Sequence, residues 1–246
     1  MSTEFKLPTE TVELPSKGLL YDEKNPLSKG TVEIKYMTAK EEDILTNANY
    51  ISNGTVIDKL LKSLIVDKNV KYDDILIGDK NAIMIASRIL AYGKDYKVQY
   101  GGQEYDIDLS EMQNKYLDES LIVDGKNEFS FDLPQTGNTV KFRLLTHIDE
   151  KNIDREVEGR KKMDKLSSTL VTTRFKHIIT EVNGKREAKD IRNFVDNYLL
   201  TQDSKALRDY YGEISPDLDL TYKGDDRNGN PIEFIVPIGT NFFWPE

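Results

Sequence analysis

Residues 79–109 read DKNAIMIASRILAYGKDYKVQYGGQEYDIDL, and the spacing of their apolar residues changes from helical to strand-like partway through. The first part predicts a helix over residues 79–91, apolar on more than one side and ended by Gly93. From Asp95 onward, apolar and polar residues alternate on both sides of Gly101-Gly102, which is typical of a hairpin. The stretch therefore predicts a buried helix followed by antiparallel β-structure.

Capping residues mark two helix starts upstream of this stretch. Thr38 and Glu41 have capping-box spacing, in which the hydroxyl accepts from a free backbone N–H and the carboxylate reaches back to the cap. Thr55 and Asp58 repeat the spacing, and residues 56–65 place their leucine, isoleucine and valine side chains on one helical face. Two helices are therefore expected to begin close to these threonines.

The second half of the chain repeats the mixture of helical and strand-like patterns. Residues 146–149 are typical of another helix start. Apolar faces at helical spacing follow in residues 170–182, 191–198 and 206–211, and Gly212 ends the last of them. Strand patterns predict β-structure at residues 31–36, 128–133, 139–145, 218–222 and 232–237.

Residues 1–30 differ from the rest of the chain because they are polar and contain three of its eight prolines. This composition predicts an extended N-terminal arm. Within the arm, residues 14–21 (LPSKGLLY) form a short apolar patch around a Pro/Gly turn. Such a patch suits a segment that lies along another surface.

Together these patterns predict an α+β fold, in which a helical unit is combined with antiparallel β-hairpins and an extended N-terminal arm. The expected organisation is an arm at 1–30, a mainly helical unit at 31–94, an antiparallel β unit at 95–145, a helical segment at 146–213, and a C-terminal hairpin with an aromatic tail at 214–246.

Composition excludes several classes of function. The chain has 246 residues with a net charge of −9, which argues against a general binder of nucleic acid or anionic membranes. It has no cysteine, so it lacks disulfides, a thiol nucleophile and thiolate metal sites. Residues 1–9 contain no run of signal-peptide length, and Arg88 interrupts the most apolar stretch, 83–90. The sequence therefore predicts a chain that starts out in the cytosol.

Catalytic motifs are missing from the sequence, which argues against an enzyme. Of the two histidines, His147 falls at the first position of a predicted helix, where it is expected to be partly exposed, and His177 falls on the solvated side of another. Neither lies in a zinc-protease or nucleophile-elbow motif, and no phosphate-binding glycine loop occurs. Pairs of acidic residues have ordinary explanations as helix starts or turns. No cofactor or metal is therefore expected.

Two charged segments have ordinary interpretations as well. Residues 217–229 resemble a calcium loop only superficially, because the ligand spacing and the terminal glutamate are missing, and they predict a hairpin turn. The basic residues between 155 and 165 are interleaved with acids. They are typical of a solvated helix face or of an ionic contact with an acidic partner.

The aromatic C-terminal tail offers two interpretations. Phe242, Phe243 and Trp244 would expose a large apolar area if they stood free, and such residues are typical interface anchors. Alternatively, they fold back over the chain's own β unit. Both interpretations predict that deleting the tail impairs the protein.

Four stretches in the same order resemble a known family. They are residues 14–21 (LPSKGLLY), 33–46 (EIKYMTAKEEDILT), 56–61 (VIDKLL) and 242–245 (FFWP). Over nearly its whole length the chain is similar to baseplate hub proteins, hub subunits or hub assembly factors, of T4-like contractile-tailed bacteriophages. Some members of that family carry Cys-x-x-Cys knuckles in two β-hairpins. Here no thiolate is present, so tight Gly/Asn turns are expected to hold the hairpins instead.

The resemblance implies a non-enzymatic structural or assembly component of a phage tail baseplate hub, assembled in the host cytoplasm and located in the virion tail. The implied partners are other baseplate or tail proteins, with no nucleic acid, membrane or small-molecule substrate. The alternatives are a tail assembly chaperone that is absent from the mature virion and a tail-associated cell-wall hydrolase. Partner contacts are expected along residues 3–21 and at the tail, and the residues proposed for them are Leu14, Pro15, Leu19, Leu20, Tyr21, Phe242, Phe243, Trp244 and Pro245.

Overall fold

The computed structural model describes residues 7–123, 125–163, 169–227, 229–238 and 240–244, without the side chains of residues 163, 240 and 241. Pro245, the first six residues of the predicted arm and part of the basic run lie outside these residues. The described helices are α1 (Ala39–Leu45), α2 (Ala48–Ser52), α3 (Val56–Leu64), α4 (Ile77–Tyr92), α5 (His147–Met163), α6 (Leu170–Ile178), α7 (Ala188–Asn197) and α8 (Thr201–Ile214).

The described strands are short, and with the helices they confirm the predicted α+β class. They are β1 (Thr9–Glu13), β2 (Thr31–Lys35), β3 (Asp95–Tyr100), β4 (Gln103–Asp108), β5 (Gln113–Lys115), β6 (Phe129–Asp132), β7 (Thr139–Phe142), β8 (Ile179–Val182), β9 (Asp217–Asp219), β10 (Thr221–Asp225) and β11 (Pro231–Ile235).

The strands form several small antiparallel sheets. β1 pairs with β2, β3 with β4, β5 with β9 and β10 with β11, while β6, β7 and β8 form a three-stranded sheet in that order. The strands of residues 95–145 are thus divided among three sheets, and two of these sheets are completed by strands from later in the chain.

The predicted arm packs on its own chain over residues 7–30. β1 is extended, as an arm would be, but it pairs with β2 from Thr9 opposite Lys35 to Glu13 opposite Thr31. The segment that follows β1 returns to the start of β2, where the Leu14 N–H donates to the Gly30 carbonyl at 2.9 Å. Strand pairing and burial therefore hold this region against the helical unit.

The helix starts lie where the capping residues predict them. α1 begins after Thr38, whose N–H and hydroxyl donate to the Glu41 carboxylate at 3.1 and 2.7 Å. α5 begins after Thr146, whose N–H and hydroxyl donate to Asp149 at 3.0 and 2.8 Å. α3 also begins as predicted, after Thr55, but the carboxylate of its third residue is turned away from the cap.

Residues 79–109 fold as most of one helix followed by a hairpin, as their apolar spacing predicts. α4 extends two residues further towards the N-terminus than predicted, and Gly93 ends it with a φ of +82°. Gly101 and Gly102 form the turn between β3 and β4 with φ values of +56° and +78°. Two consecutive positive φ angles favour glycine because side chains clash in this conformation.

An aromatic cluster joins the β3–β4 hairpin to the β10–β11 hairpin. Tyr100 stacks on Phe234 with ring centroids 4.1 Å apart, and Tyr105 lies 5.4 Å from Phe234 and 5.8 Å from Tyr222. Aromatic packing therefore holds the two hairpins together, whereas the Gly101-Gly102 turn joins only β3 to β4.

Two helix predictions are wrong in part. Residues 170–182 are not one helix, because α6 ends at Ile178 and residues 179–182 pair with β7 as β8. Ile179 and Val182 are three residues apart, which fits one face of a helix, but both are buried within β8 although a strand points them to opposite faces. Gly212 does not end the last helix, since α8 continues to Ile214.

α4 lies at the centre of the core. Its buried apolar residues include Ile83 and Ile85, and it packs closely against the segment before β9. A Cβ at Gly78 would lie 2.8 Å from the Cα of Asp217 and would overlap the carbonyl oxygen of Pro216. None of the helices in the described part of the chain is long and apolar enough to cross a membrane.

Candidate functional site

The N-terminal residues proposed to bind a partner are mostly buried inside the chain. Leu14 is 1% exposed, Pro15, Leu20 and Tyr21 are also buried, and Leu19 is half-buried. A side chain that is fully covered by its own chain offers no surface to a neighbouring subunit. In this conformation the four buried residues are covered by their own chain, and the partner contact expected for them stays a prediction.

The reason for their burial is a hydrogen-bonded latch between residues 14–21 and α4. Asp79, which has no exposed surface, accepts from the N–H and hydroxyl of Ser16 at 2.9 and 2.7 Å and from the hydroxyl of Tyr21 at 2.6 Å. The Tyr21 oxygen in turn accepts from the Leu76 N–H at 2.9 Å. We call Ser16, Tyr21 and Asp79 the latch.

Burial dominates the electrostatics of the latch. It raises the pKa of Asp79 above the ordinary carboxyl value, although Tyr21 and Ser16 donate to the carboxylate and oppose the shift. Burial and the neighbouring Asp79 carboxylate also raise the pKa of the Tyr21 hydroxyl well above its ordinary value. The motif at residues 14–21 is thus a structural loop attached to the central helix.

The C-terminal tail also folds back on the chain. Phe242 and Phe243 are each 1% exposed, and the Phe242 ring lies edge-on to Tyr96 at 5.1 Å. Of the two interpretations of the tail, folding back describes both phenylalanines, so they are not available as anchors for a partner. Trp244 remains half-buried, and Pro245 lies outside the described residues.

Arg88 clamps the tail to α4. Its Nε donates to the Phe242 carbonyl at 2.7 Å, its Nη1 to the Gly93 carbonyl at 2.8 Å and its Nη2 to the Asp95 carbonyl at 3.3 Å. The guanidinium also lies 5.9 Å from the Phe242 ring centroid. One buried arginine therefore joins the helix, the start of the hairpin and the tail.

Replacing Arg88 with alanine is expected to release the tail and lower the free energy of unfolding by about 2 to 4 kcal/mol, because three carbonyls lose their charged donor. The measurement is chemical unfolding together with the emission of Trp244, the single tryptophan of the chain. Emission should shift to the red as the tail becomes hydrated. Arg192→Ala, at an exposed position of α7, is the matched control. Unchanged emission in Arg88→Ala would contradict the clamp.

Trp244 forms one wall of a groove of about 960 Å³ between the tail, α3 and α4. The groove is lined mainly by apolar side chains, and those that keep part of their surface exposed are Ile51, Ile57, Ile77, Met84, Leu220, Ile238 and Trp244. Methionine adapts to differently shaped partners, and tryptophan is enriched among residues that dominate binding energy. We call this surface the Trp244 groove.

A polar network lies at one side of the Trp244 groove. Asp58 Oδ1 accepts from the Tyr72 hydroxyl at 3.2 Å, and Asp58 Oδ2 lies 3.2 Å from His147 Nε2 without a well-aligned hydrogen bond. Lys80 Nζ lies 3.5 Å from His147 Nδ1 and 3.4 Å from Glu150 Oε2. Because an ammonium group only donates, its contact with Nδ1 favours the tautomer with the proton on Nε2.

The charges of this network shift two pKa values in opposite directions. Burial alone would raise the pKa of Asp58, but contact with His147, followed by Lys80 and Tyr72, outweighs it and lowers the pKa. Burial and the adjacent Asp58 carboxylate raise the pKa of the Tyr72 hydroxyl. Asp58 is therefore held as a carboxylate, with Tyr72 as its neutral donor.

Sequence reasoning missed most of this network. Asp58 matched the spacing of a helix cap, and His147 was expected to be partly exposed, but His147 is only 4% exposed because it packs edge-on against Tyr72 at 4.7 Å. His177 is half-buried and lies 3.3 Å from Glu156, so it is less solvated than its position on the helical wheel predicts. The role of Arg88 was also missed, although a single charged residue inside the apolar stretch 83–90 could have indicated a buried arginine.

The network lacks the parts of the familiar catalytic centres within the described residues. An aspartate–histidine pair serves hydrolysis when a hydroxyl or thiol nucleophile is hydrogen-bonded to the imidazole. Within the ranges given above, His147 makes no such bond to a serine or threonine, and no group of three or more His, Asp or Glu side chains is arranged to hold a metal ion. The arrangement is suited to binding a ligand of mixed apolar and charged character.

A second, smaller groove of about 310 Å³ lies between α6 and α8. Its lining is also largely apolar, and Leu170 and Val171 on its rim are exposed.

No protein-family model matches the chain, and neither a curated protein nor a solved structure matches it.

Proposed function

We propose that the protein is a non-enzymatic structural component of a phage tail baseplate hub, and that it acts by binding another tail protein through the Trp244 groove. Support for the baseplate role comes from the four sequence stretches that resemble hub proteins. The proposal places the protein in the virion tail after assembly in the host cytoplasm.

The Trp244 groove is the observation that carries the binding role. Two of the proposed anchors, Leu19 and Trp244, keep part of their surface exposed in the described structure, and Trp244 lies beside a large apolar groove. Apolar grooves that hold a tryptophan on one wall are typical of protein interfaces. The buried phenylalanines next to Trp244 support the wall without contacting a partner themselves.

Trp244→Ala is expected to weaken partner binding at least about tenfold while leaving the fold intact, because Trp244 is half-buried and its removal opens no deep cavity. The measurement compares tagged wild-type and variant chains recovered from cells infected by the encoding phage. Tail proteins should co-purify in stoichiometric amounts with the wild-type chain only. Thermal unfolding of both purified chains checks the fold.

The matched control is Val171→Ser on the rim of the second groove, which should leave recovery of the partner unchanged. Equal loss of the partner in both variants, or in Val171→Ser alone, would contradict the assignment to the Trp244 groove. Deletion of everything after Asn241 is unsuitable as a test, because it also removes the buried Phe242 and Phe243. Such a truncation is expected to unfold the chain.

Purified virions separate the structural role from the chaperone alternative. Stoichiometric detection of the chain in virions supports a structural component, and its absence from virions that contain its partner supports an assembly chaperone. A zymogram on peptidoglycan tests the hydrolase alternative. Clearing that disappears on substitution of one acidic residue would overturn the proposed function.

A further inference from the structure

The polar side of the Trp244 groove carries more negative than positive charge. Its lining contains two carboxylates, Asp58 and Glu150, and one ammonium group, Lys80. The two contacts of Lys80 are long, 3.4 Å to Glu150 Oε2 and 3.5 Å to His147 Nδ1. One ammonium therefore leaves a net negative potential beside the apolar lining.

Acidic residues next to the groove extend this potential. Asp154 follows Glu150 by one turn of α5. Burial, and then repulsion from Glu150 and Glu158, raise the pKa of Asp154 and outweigh the opposing charges of Arg174 and Lys80. Asp73 and Glu150 both raise the pKa of the Tyr72 hydroxyl, as Asp58 does. Glu150 and Asp154 are therefore close enough to repel each other, and a cation placed beside them would relieve this repulsion.

We propose that the Trp244 groove binds an apolar segment of a partner protein that carries a lysine or arginine, and that Asp58 and Glu150 receive this basic residue. The inference rests on the proposed function and adds the chemistry of the partner to it. The apolar part of the segment lies against Ile57, Met84 and Trp244.

Charge complementarity favours a partner segment with a basic residue over a second copy of the chain or an anionic ligand. A second copy of the chain would bring together two molecules of net charge −9, which disfavours self-association. Nucleic acid, phosphate and anionic membranes would meet the same negative potential. An apolar segment with a basic residue satisfies both the apolar lining and the excess carboxylate.

The test uses three synthetic helix-forming peptides that share one apolar stripe, lack tryptophan and tyrosine, and carry lysine, glutamine or glutamate at one central position. Binding to the full-length chain is followed by the fluorescence of Trp244. We expect the lysine peptide to bind at least about tenfold more tightly than the glutamate peptide, with the glutamine peptide between them. Raising the salt concentration should narrow the differences.

Two substitutions in the groove should move this preference in opposite directions. Glu150→Gln removes one of the two carboxylates and should reduce the preference for lysine, whereas Lys80→Met removes the competing ammonium and should increase it. Loss of folding cannot produce opposite changes, so the pair of variants separates a charge effect from damage to the structure. Thermal unfolding of each variant completes the control.

The proposal fails if the three peptides bind equally, if the glutamate peptide binds best, or if no peptide changes the fluorescence. Concentration-dependent fluorescence without any peptide, together with a dimer in sedimentation, would assign the groove to a second copy and overturn it as well. If Trp244→Ala loses its tail partner in infected cells but the peptides show no charge preference, the proposed function stands and this inference alone is wrong.

Discussion

Gly78→Ala is expected to lower the free energy of unfolding by more than about 3 kcal/mol, a large share of the roughly 5 to 15 kcal/mol that keeps an ordinary protein folded. The added methyl group would overlap the carbonyl oxygen of Pro216 and lie 2.8 Å from the Cα of Asp217. Both neighbours are backbone atoms, so relief requires α4 to separate from the segment that leads into β9. Urea unfolding followed by circular dichroism measures the loss.

Gly212→Ala is the matched control for this substitution. Gly212 also lies inside a helix, α8, but an added Cβ there meets nothing within 4 Å. Alanine is the better helix former, so Gly212→Ala should stabilise the protein by about 0.5 to 1 kcal/mol. Equal effects of the two substitutions would show that the approach of α4 to Pro216 is not as close as described.

Asp79→Ala is expected to have the second large effect, a loss of about 3 to 5 kcal/mol. The substitution removes the acceptor for the Ser16 N–H, the Ser16 hydroxyl and the Tyr21 hydroxyl, and it leaves these donors buried without it. The latch would open, and residues 14–21 would separate from α4. Hydrogen exchange of the Ser16 N–H measures the separation of residues 14–21 from α4, and equilibrium unfolding measures the loss of stability.

The free energy of unfolding that is lost when Asp79 is replaced should depend on pH, and the raised pKa of Asp79 sets the direction of this dependence. The folded state keeps the Asp79 proton to higher pH than the unfolded state, whose value is near 3.8, so this group favours folding most at acidic pH and less as pH rises through the shifted value. The difference in free energy of unfolding between the wild-type chain and Asp79→Ala should therefore become smaller from acidic to neutral pH. A difference that grows with pH would contradict the raised pKa.

Two further variants make the result specific to the latch. Asp43→Ala removes an exposed acid from α1 and should change the free energy of unfolding by less than about 0.5 kcal/mol. Tyr21→Phe removes one hydroxyl and should cost about 1 to 2 kcal/mol. If Tyr21→Phe were as damaging as Asp79→Ala, the tyrosine rather than the carboxylate would be the centre of the latch.

Features that depend on neighbouring residues were predictable from the sequence. The caps of α1 and α5 and the glycine turn between β3 and β4 are local, because each satisfies backbone groups within a few residues. The ending of α6 was not predictable in this way. Ile179 leaves the helix because β7 offers it strand pairing, and that partner lies about forty residues away in sequence.

The candidate site was predictable only in part, for the same reason. Trp244 was identified because an aromatic tail is conspicuous in a sequence. The burial of residues 14–21 was not predicted, and the burial of Phe242 was only one of two alternatives. Asp79 and Arg88, which bind these two segments, lie far from them in sequence. Asp58 showed a helix-cap spacing, and only the fold reveals that it lies beside His147 instead.

The position of α4 has a consequence for how the chain acquires its structure. Contacts 63 and 154 residues distant in sequence, from Ser16 to Asp79 and from Arg88 to Phe242, converge on this one helix. Closing such long loops slows folding, because the entropy of closure is lost before the contacts form. During synthesis Arg88 cannot bind the Phe242 carbonyl until Phe242 has emerged, so we expect α4 to stay incompletely packed until then and to be open to molecular chaperones.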